Sequence, residues 1–297
     1  MLVHIKELFK GDVVGNFAYP AFNTQNLETT MAIIQAAEEM NAPVIIDVSE
    51  GAIKYAGLST IYEIMATTAI KAKVPIALHM DHGKNVDQLK EGIELGFSSV
   101  MIDHSGDDVD ENIKATKELV DFAHLEGAWV QGEIGRIRGS EDWVSVSETE
   151  ALLTDPEDAK RFVDSTGVDT LACAFGTIHG IIKIRGGATP HVDLARIKAV
   201  HEKVNIPLVL HGASGVDENV IHEAIKSGVA IINIDTELRI AFGESLRKSL
   251  ADQPEEVDPR HILKPVVEAV KEAAKKKLMQ FNTKNIISDA NIRIAHE

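Results

Sequence analysis

Cysteine occurs once in the 297 residues, at Cys173. A single thiol excludes a disulfide within the chain and a metal site built from cysteines alone. A chain without structural disulfides suits a reducing cytoplasm. Basic residues are also short: Lys plus Arg number 30 against 46 Asp plus Glu, a formal net charge of −16. A general binder of nucleic acid or of an anionic membrane needs a basic face, so neither partner is expected. A phosphorylated small molecule is not excluded, because a few local cations and helix amino-termini suffice for it. Long hydrophobic runs are missing too. The longest stretch without Asp, Glu, Lys or Arg is 13–27, and it holds Gly15, Asn16, Pro20, Asn23 and Gln25. It is too short and too polar to span a bilayer. The first ten residues carry Lys6, Glu7 and Lys10 and no apolar h-region, so no secretory signal is expected.

What is present is an ordinary globular composition, 44% hydrophobic and 26% charged, which excludes a disordered, collagen-like or coiled-coil chain. The length fits about two average domains or one α/β barrel of about 250 residues. Eight short strand-like runs stand at 18–22, 43–48, 75–80, 99–103, 128–133, 170–175, 207–210 and 230–234. Most are separated by one helix-length amphipathic stretch. In 27–40, Leu27, Met31, Ile34 and Ala37 share a face. The stretch 155–166 opens Asp-Pro-Glu and is followed by Gly167, the start and stop chemistry of a helix; 192–204 and 218–227 read the same way. Strand–helix alternation implies right-handed βαβ units and a parallel sheet. Eight units point to an α/β fold of the (β/α)8 TIM-barrel type, with a doubly wound open sheet as the alternative. No repeat or linker divides the chain. The expectation is one domain over 1–297, with the barrel at about 1–250 and a C-terminal helical extension and tail at about 251–297. That extension reads as a helix at 238–251, a connector at 252–260 and a second helix at 263–281. The tail 282–297 is either an extra arm or partly ordered.

Barrel active sites sit at the carboxyl ends of the strands, and the polar residues gather there. The runs finish at Asn23, Ser49, Asp81-His82, Asp103-His104, Glu133, His179, His211-Gly212 and Asn233 to Asp235. His82, His179 and His211 form a candidate metal triad, since three neutral imidazoles leave Zn2+ an open position; the alternative is three hydrogen-bonded histidines near the core. His79, two before Asp81, faces the barrel interior by alternation and reads as structural. Asp81 either exchanges protons with a group on the metal or accepts an imidazole N–H. Glu133 is an auxiliary ligand candidate. The polar stretch 135–147 is long for a strand-to-helix loop, and such loops are often lids. Glu141 and Asp142 near its tip are either solvated charges or a mobile base. Glycine clusters Gly176-Thr-Ile-His-Gly180 and Gly212-Ala-Ser-Gly215, with Asn233-Ile-Asp-Thr236, follow runs six to eight. Glycine permits close backbone approach to an anion, and the loops after strands seven and eight commonly bind phosphate in this fold.

These motifs together resemble the class II, metal-dependent fructose-1,6-bisphosphate aldolases and the similar tagatose-bisphosphate aldolases, from about residue 18 to 281. The most specific pieces are Val48-Ser-Glu-Gly-Ala-Ile-Lys-Tyr55, Leu78-His-Met-Asp-His-Gly83 and Pro207-Leu-Val-Leu-His-Gly-Ala-Ser-Gly215, with Asn233-Ile-Asp-Thr-Glu-Leu-Arg239 and Asp258-Pro-Arg260. The resemblance implies Zn2+ on His82, His179 and His211, with Glu133 as ligand of a displaced metal. Asp81 would take the C4 hydroxyl proton during cleavage. Glu141 would handle the proton on the dihydroxyacetone phosphate carbon. Gly180, Gly212, Ser214, Asn233 and Thr236 would cradle the first phosphate, and Asn23 and Ser49 would contact substrate. Arg239 and Arg260 would meet the second phosphate, Arg260 from a neighbouring subunit of a homodimer or homotetramer. A monovalent cation often accompanies such sites.

Asp235 either caps the following helix or orients Arg239 and helps to choose the substrate. Fructose-type members carry Asp at this position, whereas tagatose-type members tend to carry a small apolar residue. The departures from the family pattern are local. After run four the family reads Asp-Gly-Ser-His, where this chain has Asp103-His-Ser-Gly106. The segment 181–191 is rich in glycine, and the C-terminus lacks the family's short Gly-Ser-Ala ending. The expected activity is reversible cleavage of fructose 1,6-bisphosphate to dihydroxyacetone phosphate and glyceraldehyde 3-phosphate. Tagatose 1,6-bisphosphate, differing at C4, is the alternative substrate. A Schiff-base aldolase would need a lysine inside the barrel, and run six has none. A sugar-phosphate-binding barrel without turnover is the non-enzyme alternative; Asp81 and Glu141 argue against it, because a binder needs no proton carriers.

Overall fold

The computed structural model describes residues 1–11, 13–141, 144–147, 151–180 and 191–287, with the side chains of Arg138, Ser140, Glu141 and Val144–Val146 left undescribed. The strands, in chain order, are β1 (Tyr19–Asn23), β2 (Val44–Ser49), β3 (Ile76–Gly83), β4 (Ser99–Ile102), β5 (Trp129–Ile134), β6 (Arg138–Glu141), β7 (Val144–Val146), β8 (Thr170–Cys173), β9 (Ile178–His179), β10 (Leu208–Leu210) and β11 (Val229–Ile234). Eight of them close a barrel in the order β1-β2-β3-β4-β5-β8-β10-β11. Every neighbouring pair is parallel, and closure is made by β11 against β1, from Tyr19↔Ile231 to Phe22↔Ile234. The open-sheet alternative is thereby excluded.

The strands are apolar on both faces because both faces are covered. In β2, Val44, Ile46 and Val48 pack outward into the large cluster shared with the helices, whereas Ile45 joins a separate inner cluster. That inner cluster holds Ala21, Ile45, Ala77, Met101, Ala172, Val209 and Ile231, one residue from each of seven strands. It forms the barrel's floor. A four-residue helix, Ile5–Leu8, closes it from below with Val13 and Phe17, and the buried Tyr19 hydroxyl donates to the Leu8 carbonyl.

Further along six of these strands, on the same parity, the inward residues become polar. Ala21 gives way to Asn23, Ile45 to Asp47 and Ser49, Ala77 to His79 and Asp81, Met101 to Asp103, Val209 to His211, and Ile231 to Asn233. The carboxyl mouth is polar because the inward parity of the strands changes composition there.

The helices follow their capping chemistry. Asn26 accepts the Thr29 N–H at 2.9 Å, and Asp155 accepts from Glu157 ahead of a helix that ends on left-handed Gly167. Three expectations are corrected. In helix Leu27–Glu39 the buried face centres on Ala32, Ile33, Ala36 and Ala37, and Leu27 is exposed. This helix is sandwiched between the barrel and the last helix, so its apolar surface is not one stripe. The helix after β11 starts at Thr236, and the last helix runs Pro259–Gln280 with Asp258 as its cap. Arg260 therefore lies in a first helical turn, not in a connector, because the Asp-Pro pair starts the helix. The last helix packs on Leu27–Glu39, where Lys271 and Lys275 meet Glu39 at 2.8 and 2.9 Å. Beyond it, the Asn285 N–H donates to the Met40 carbonyl, and 288–297 lie outside the described residues. No helix among the described residues is long and apolar enough to cross a membrane.

Candidate active site

Alternation would send Asp81 and His82 to opposite faces of β3. Instead the β3–β4 register shifts between Met80 and Gly83, and His82 takes a left-handed φ of +51°. Such a conformation costs a non-glycine residue about 1–3 kcal/mol. It turns the imidazole into the mouth, 3.9 Å from the Asp81 carboxylate. His211 follows β10 on the inward parity. His179 is not at the end of a barrel strand, as the sequence suggested. It lies on β9, six residues past β8, because left-handed Gly176 turns the chain back over the mouth.

The three rings nevertheless meet. Ring centroids are 4.7 Å apart for His82 and His211, 5.8 Å for His82 and His179, and 6.0 Å for His179 and His211. One nitrogen of each lies within 4.8 Å of the others. His82 Nε2 and His211 Nδ1 face each other at 2.9 Å, near the ~3.3 Å edge of a tetrahedron with Zn–N bonds of about 2.05 Å. Behind them, His82 Nδ1 donates to Asp103 Oδ2 at 3.0 Å, and His211 Nε2 abuts the buried Gln131 amide at 3.1 Å. With the amide oxygen turned to it, His211 would donate from Nε2 and leave Nδ1 as a lone pair. Both rings are thus oriented from behind, as ligating histidines are. The donor set fits a divalent ion. A second group within the same span is His82, Asp103 and Glu133. Here Glu133 Oε2 is 3.8 Å from His82 Nδ1, and Ser105 Oγ donates to Asp103 at 2.7 Å and Glu133 at 3.3 Å.

Burial alone would raise the Asp103 carboxyl. The His82 hydrogen bond and charge, with two hydrogen bonds from Ser105, outweigh it and hold the group well below the ordinary carboxylate range. His79 is buried and pushed down to about 3, by desolvation first and by His82 second. It stays neutral against Ser99 Oγ at 2.8 Å, a structural residue beneath the site.

Asp81 is buried and held by two amides. Asn23 Nδ2 donates to Oδ2 at 2.8 Å, and Asn233 Nδ2 faces Oδ1 at 3.4 Å. Asn233 also donates to Asp47 at 3.0 Å. Asn233 Oδ1, Ser49 Oγ and Thr177 Oγ1 are buried with no hydrogen-bond partner among the described residues. Orphaned polar atoms at a mouth point to a ligand that meets them.

Around the mouth, Gly180 and Gly212 adopt φ of +87° and +63°, and Ser214 is buried. Gly215 N–H donates to Glu237, which also meets Lys277. Asp235 occupies the cap position of helix Thr236–Asp252 without capping it. Its Oδ1 accepts from Gln25 Nε2 at 3.0 Å and Arg239 Nε at 2.8 Å, so of the two readings it orients Arg239. The helix amino-terminus beside Thr236 has no side-chain cap from Asp235, and an end of this kind suits an anion. Arg260 is 86% exposed and pairs with Asp258. The Glu141 backbone ends β6, paired with Val144; its side chain and all of Asp142 lie outside what is described. His104 closes its own loop through Asp107 Oδ2 at 2.6 Å and the Lys84 carbonyl at 3.2 Å.

Asp47, Gln131, Gln25 and Ser105 carry contacts at this mouth that motif reading missed. Inward parity along β2 and β5 marks the first two; no sequence signal marks the others.

The family model for class-II fructose-bisphosphate aldolases matches residues 3–286. A curated fructose-bisphosphate aldolase of Thermus caldophilus is 41% identical, covering 95% of this chain and 99% of that protein. The crystal structure of the YdjI aldolase from Escherichia coli K12 aligns with a TM-score of 0.79 at 34% identity, covering 96% of this chain and 98% of that one. A candidate fructose-1,6-biphosphate aldolase from Coccidioides immitis aligns at 0.82 and 32%, covering 92% and 94%.

Proposed function

The chain belongs to the class-II fructose-bisphosphate aldolase family, and from that premise and the site's geometry we infer that it reversibly cleaves fructose 1,6-bisphosphate to dihydroxyacetone phosphate and glyceraldehyde 3-phosphate. The observation that carries the reading is the convergence of three imidazole nitrogens within 4.8 Å beside the buried Asp81. His82, His179 and His211 would hold Zn2+, and Glu133 would serve an alternate position. When bound, a divalent ion supplies Lewis-acid stabilisation of negative charge on substrate oxygens.

The chain's own residues do the rest. Asn23 and Asn233 fix the Asp81 carboxylate, which accepts the C4 hydroxyl proton. The C3–C4 bond breaks, its electron pair staying with the dihydroxyacetone phosphate half. Glu141 delivers a proton to that carbon. Gly180, Gly212, Ser214, Asn233 and Thr236 hold one phosphate, with Asn23 and Ser49 along the sugar. Arg239 and Arg260 meet the other, and the exposure of Arg260 suits service to a neighbouring subunit of a homodimer or homotetramer. A monovalent cation would accompany the divalent ion at this site. We read 1–297 as one domain, working in the cytoplasm, where the buried Cys173 stays a free thiol.

The test is a coupled assay on both bisphosphate epimers, with and without chelator. Turnover of the fructose epimer that chelator abolishes and Zn2+ restores is expected. Full activity in metal-free protein would overturn the reading.

A further inference from the structure

The ligand His179 sits on a strand of two residues, too short to hold itself in place. Its support comes from β6. The two pair in parallel, Arg138↔Ile178 and Gly139↔His179, and β6 pairs in turn with β7 through Glu141↔Val144. At the point of contact Gly139 has a φ of +116°. A methyl group on its Cα would lie 2.2 Å from the His179 oxygen, 2.7 Å from its nitrogen and 2.9 Å from its carbonyl carbon. All three are backbone atoms, so no flexible side chain can give way. Gly212 makes a comparable approach to the other residue of β9. At φ +63°, its added methyl would lie 2.9 Å from the Ile178 oxygen and 3.0 Å from the carbonyl carbon. The strand is therefore gripped by two glycines in conformations that side chains rarely adopt. Gly212 adjoins His211, and Gly139 stands two residues before Glu141.

We propose that Gly139 is a positioning residue: its backbone contact with His179 sets that imidazole in the triad and ties the Glu141 hairpin to the same strand. Metal occupancy and hairpin docking are consequently linked. Whatever fixes His179 also fixes β6, and by reciprocity docking of β6 tightens metal binding. This rests on the reading of His179 as a metal ligand and of Glu141 as the proton carrier.

Three measurements test it. Zn2+ affinity of the purified protein is read by competition with a chromophoric chelator, for wild type, Gly139→Ala and His179→Ala. Gly139→Ala should weaken Zn2+ binding about 10–100-fold, the loss typical when support behind a ligand is removed, and His179→Ala should weaken it further. Because Gly139→Ala can also disturb folding, hydrogen exchange is followed on the wild-type protein with and without Zn2+. Backbone amides of 138–141 should exchange at least about tenfold more slowly with Zn2+ bound, and His179→Ala should abolish that protection. Wild-type affinity in Gly139→Ala while His179→Ala loses the metal would overturn this inference alone. So would β6 amides indifferent to Zn2+. Wild-type affinity in His179→Ala would overturn the metal-ligand reading and this inference with it.

Discussion

Replacing Asp103 with asparagine tests whether the mouth of the barrel is built to hold a metal. Asp103 uses one oxygen on His82 Nδ1 at 3.0 Å and the other on Ser105, at 3.1 Å from its N–H and 2.7 Å from its hydroxyl. Asparagine keeps the shape but supplies one acceptor and one donor. With its oxygen on the two Ser105 donors, its NH2 group faces the His82 Nδ1–H. Two donors then oppose each other, and His82 is driven to the tautomer that carries its proton on Nε2. That is the nitrogen facing His211, so the lone pair needed for a metal is lost. Removing an orienting partner of a metal-bound histidine typically costs 10–100-fold in affinity, about 1.4–2.7 kcal/mol. The upper half of that range is expected, because the tautomer is inverted and not merely released. The assay is equilibrium competition for Zn2+, with activity then measured at saturating metal. Affinity should fall while most turnover at saturation returns. Zn2+ affinity within twofold of wild type would refute the reasoning, since His82 would then owe its orientation to something other than Asp103.

Asp81→Ala should retain Zn2+, measured as metal content, and lose cleavage by at least about 10²–10⁴-fold; mixing it with Arg260→Ala subunits should restore some turnover, and no restoration after verified subunit exchange would place Arg260 outside a shared site. Wild-type kcat/KM should favour fructose over tagatose 1,6-bisphosphate by about 10², on the order of 3 kcal/mol, and Asp235→Ala, which also frees Arg239, should narrow the ratio; an unchanged ratio would remove Asp235 as the discriminator. His79 is neutral when folded, with its pKa pushed down to about 3, while the unfolded chain takes up that proton near pH 6.5. Its contribution is therefore complete above pH 6.5 and is lost as pH falls towards 3, with a slope up to about 1.4 kcal/mol per pH unit. Urea unfolding of metal-free protein at pH 4.5 and 7 should show a shallower pH dependence in His79→Gln, and identical slopes would contradict a buried neutral ring.

The barrel was legible because its strands are covered on both faces, so runs such as Val44-Ile-Ile stand out as continuous apolar stretches. Caps at Asn26, Asp155 and Asp258 mark helix starts in the sequence, though the pattern around Asp258-Pro259 reads equally as a connector. The polar mouth is legible for a different reason: His211 and Asn233 each fall one period beyond an apolar inward residue, and Asp81 two periods beyond Ala77. What was not legible depends on backbone conformation. No periodicity announces that His82 will rotate into the mouth beside Asp81, because that needs a register shift and a positive φ. Strands of two to four residues, such as β9 and β6, are too short to give a pattern, so the sequence places His179 at the end of a barrel strand. The partners Gln25 and Ser105 sit in loops, where only the closed fold decides what they touch.

The division between floor and mouth has an energetic consequence. Ala21, Ile45, Ala77, Met101, Ala172, Val209 and Ile231 pack an apolar layer closed from below by Ile5 and Leu8. Directly above, Asn233 Oδ1, Ser49 Oγ and Thr177 Oγ1 are buried without partners among the described residues, each at a cost of about 1–3 kcal/mol. Those costs are large beside a net stability of about 5–15 kcal/mol. The apolar burial of the floor and of the outer helix layer offsets them. The mouth holds a strained His82, clustered carboxylates and orphaned oxygens, an arrangement that a cation and a polyhydroxylated phosphoester would satisfy. A ligand that binds only the folded chain stabilises it by mass action. The same atoms that find no partner among the described residues therefore favour a ligand that meets them.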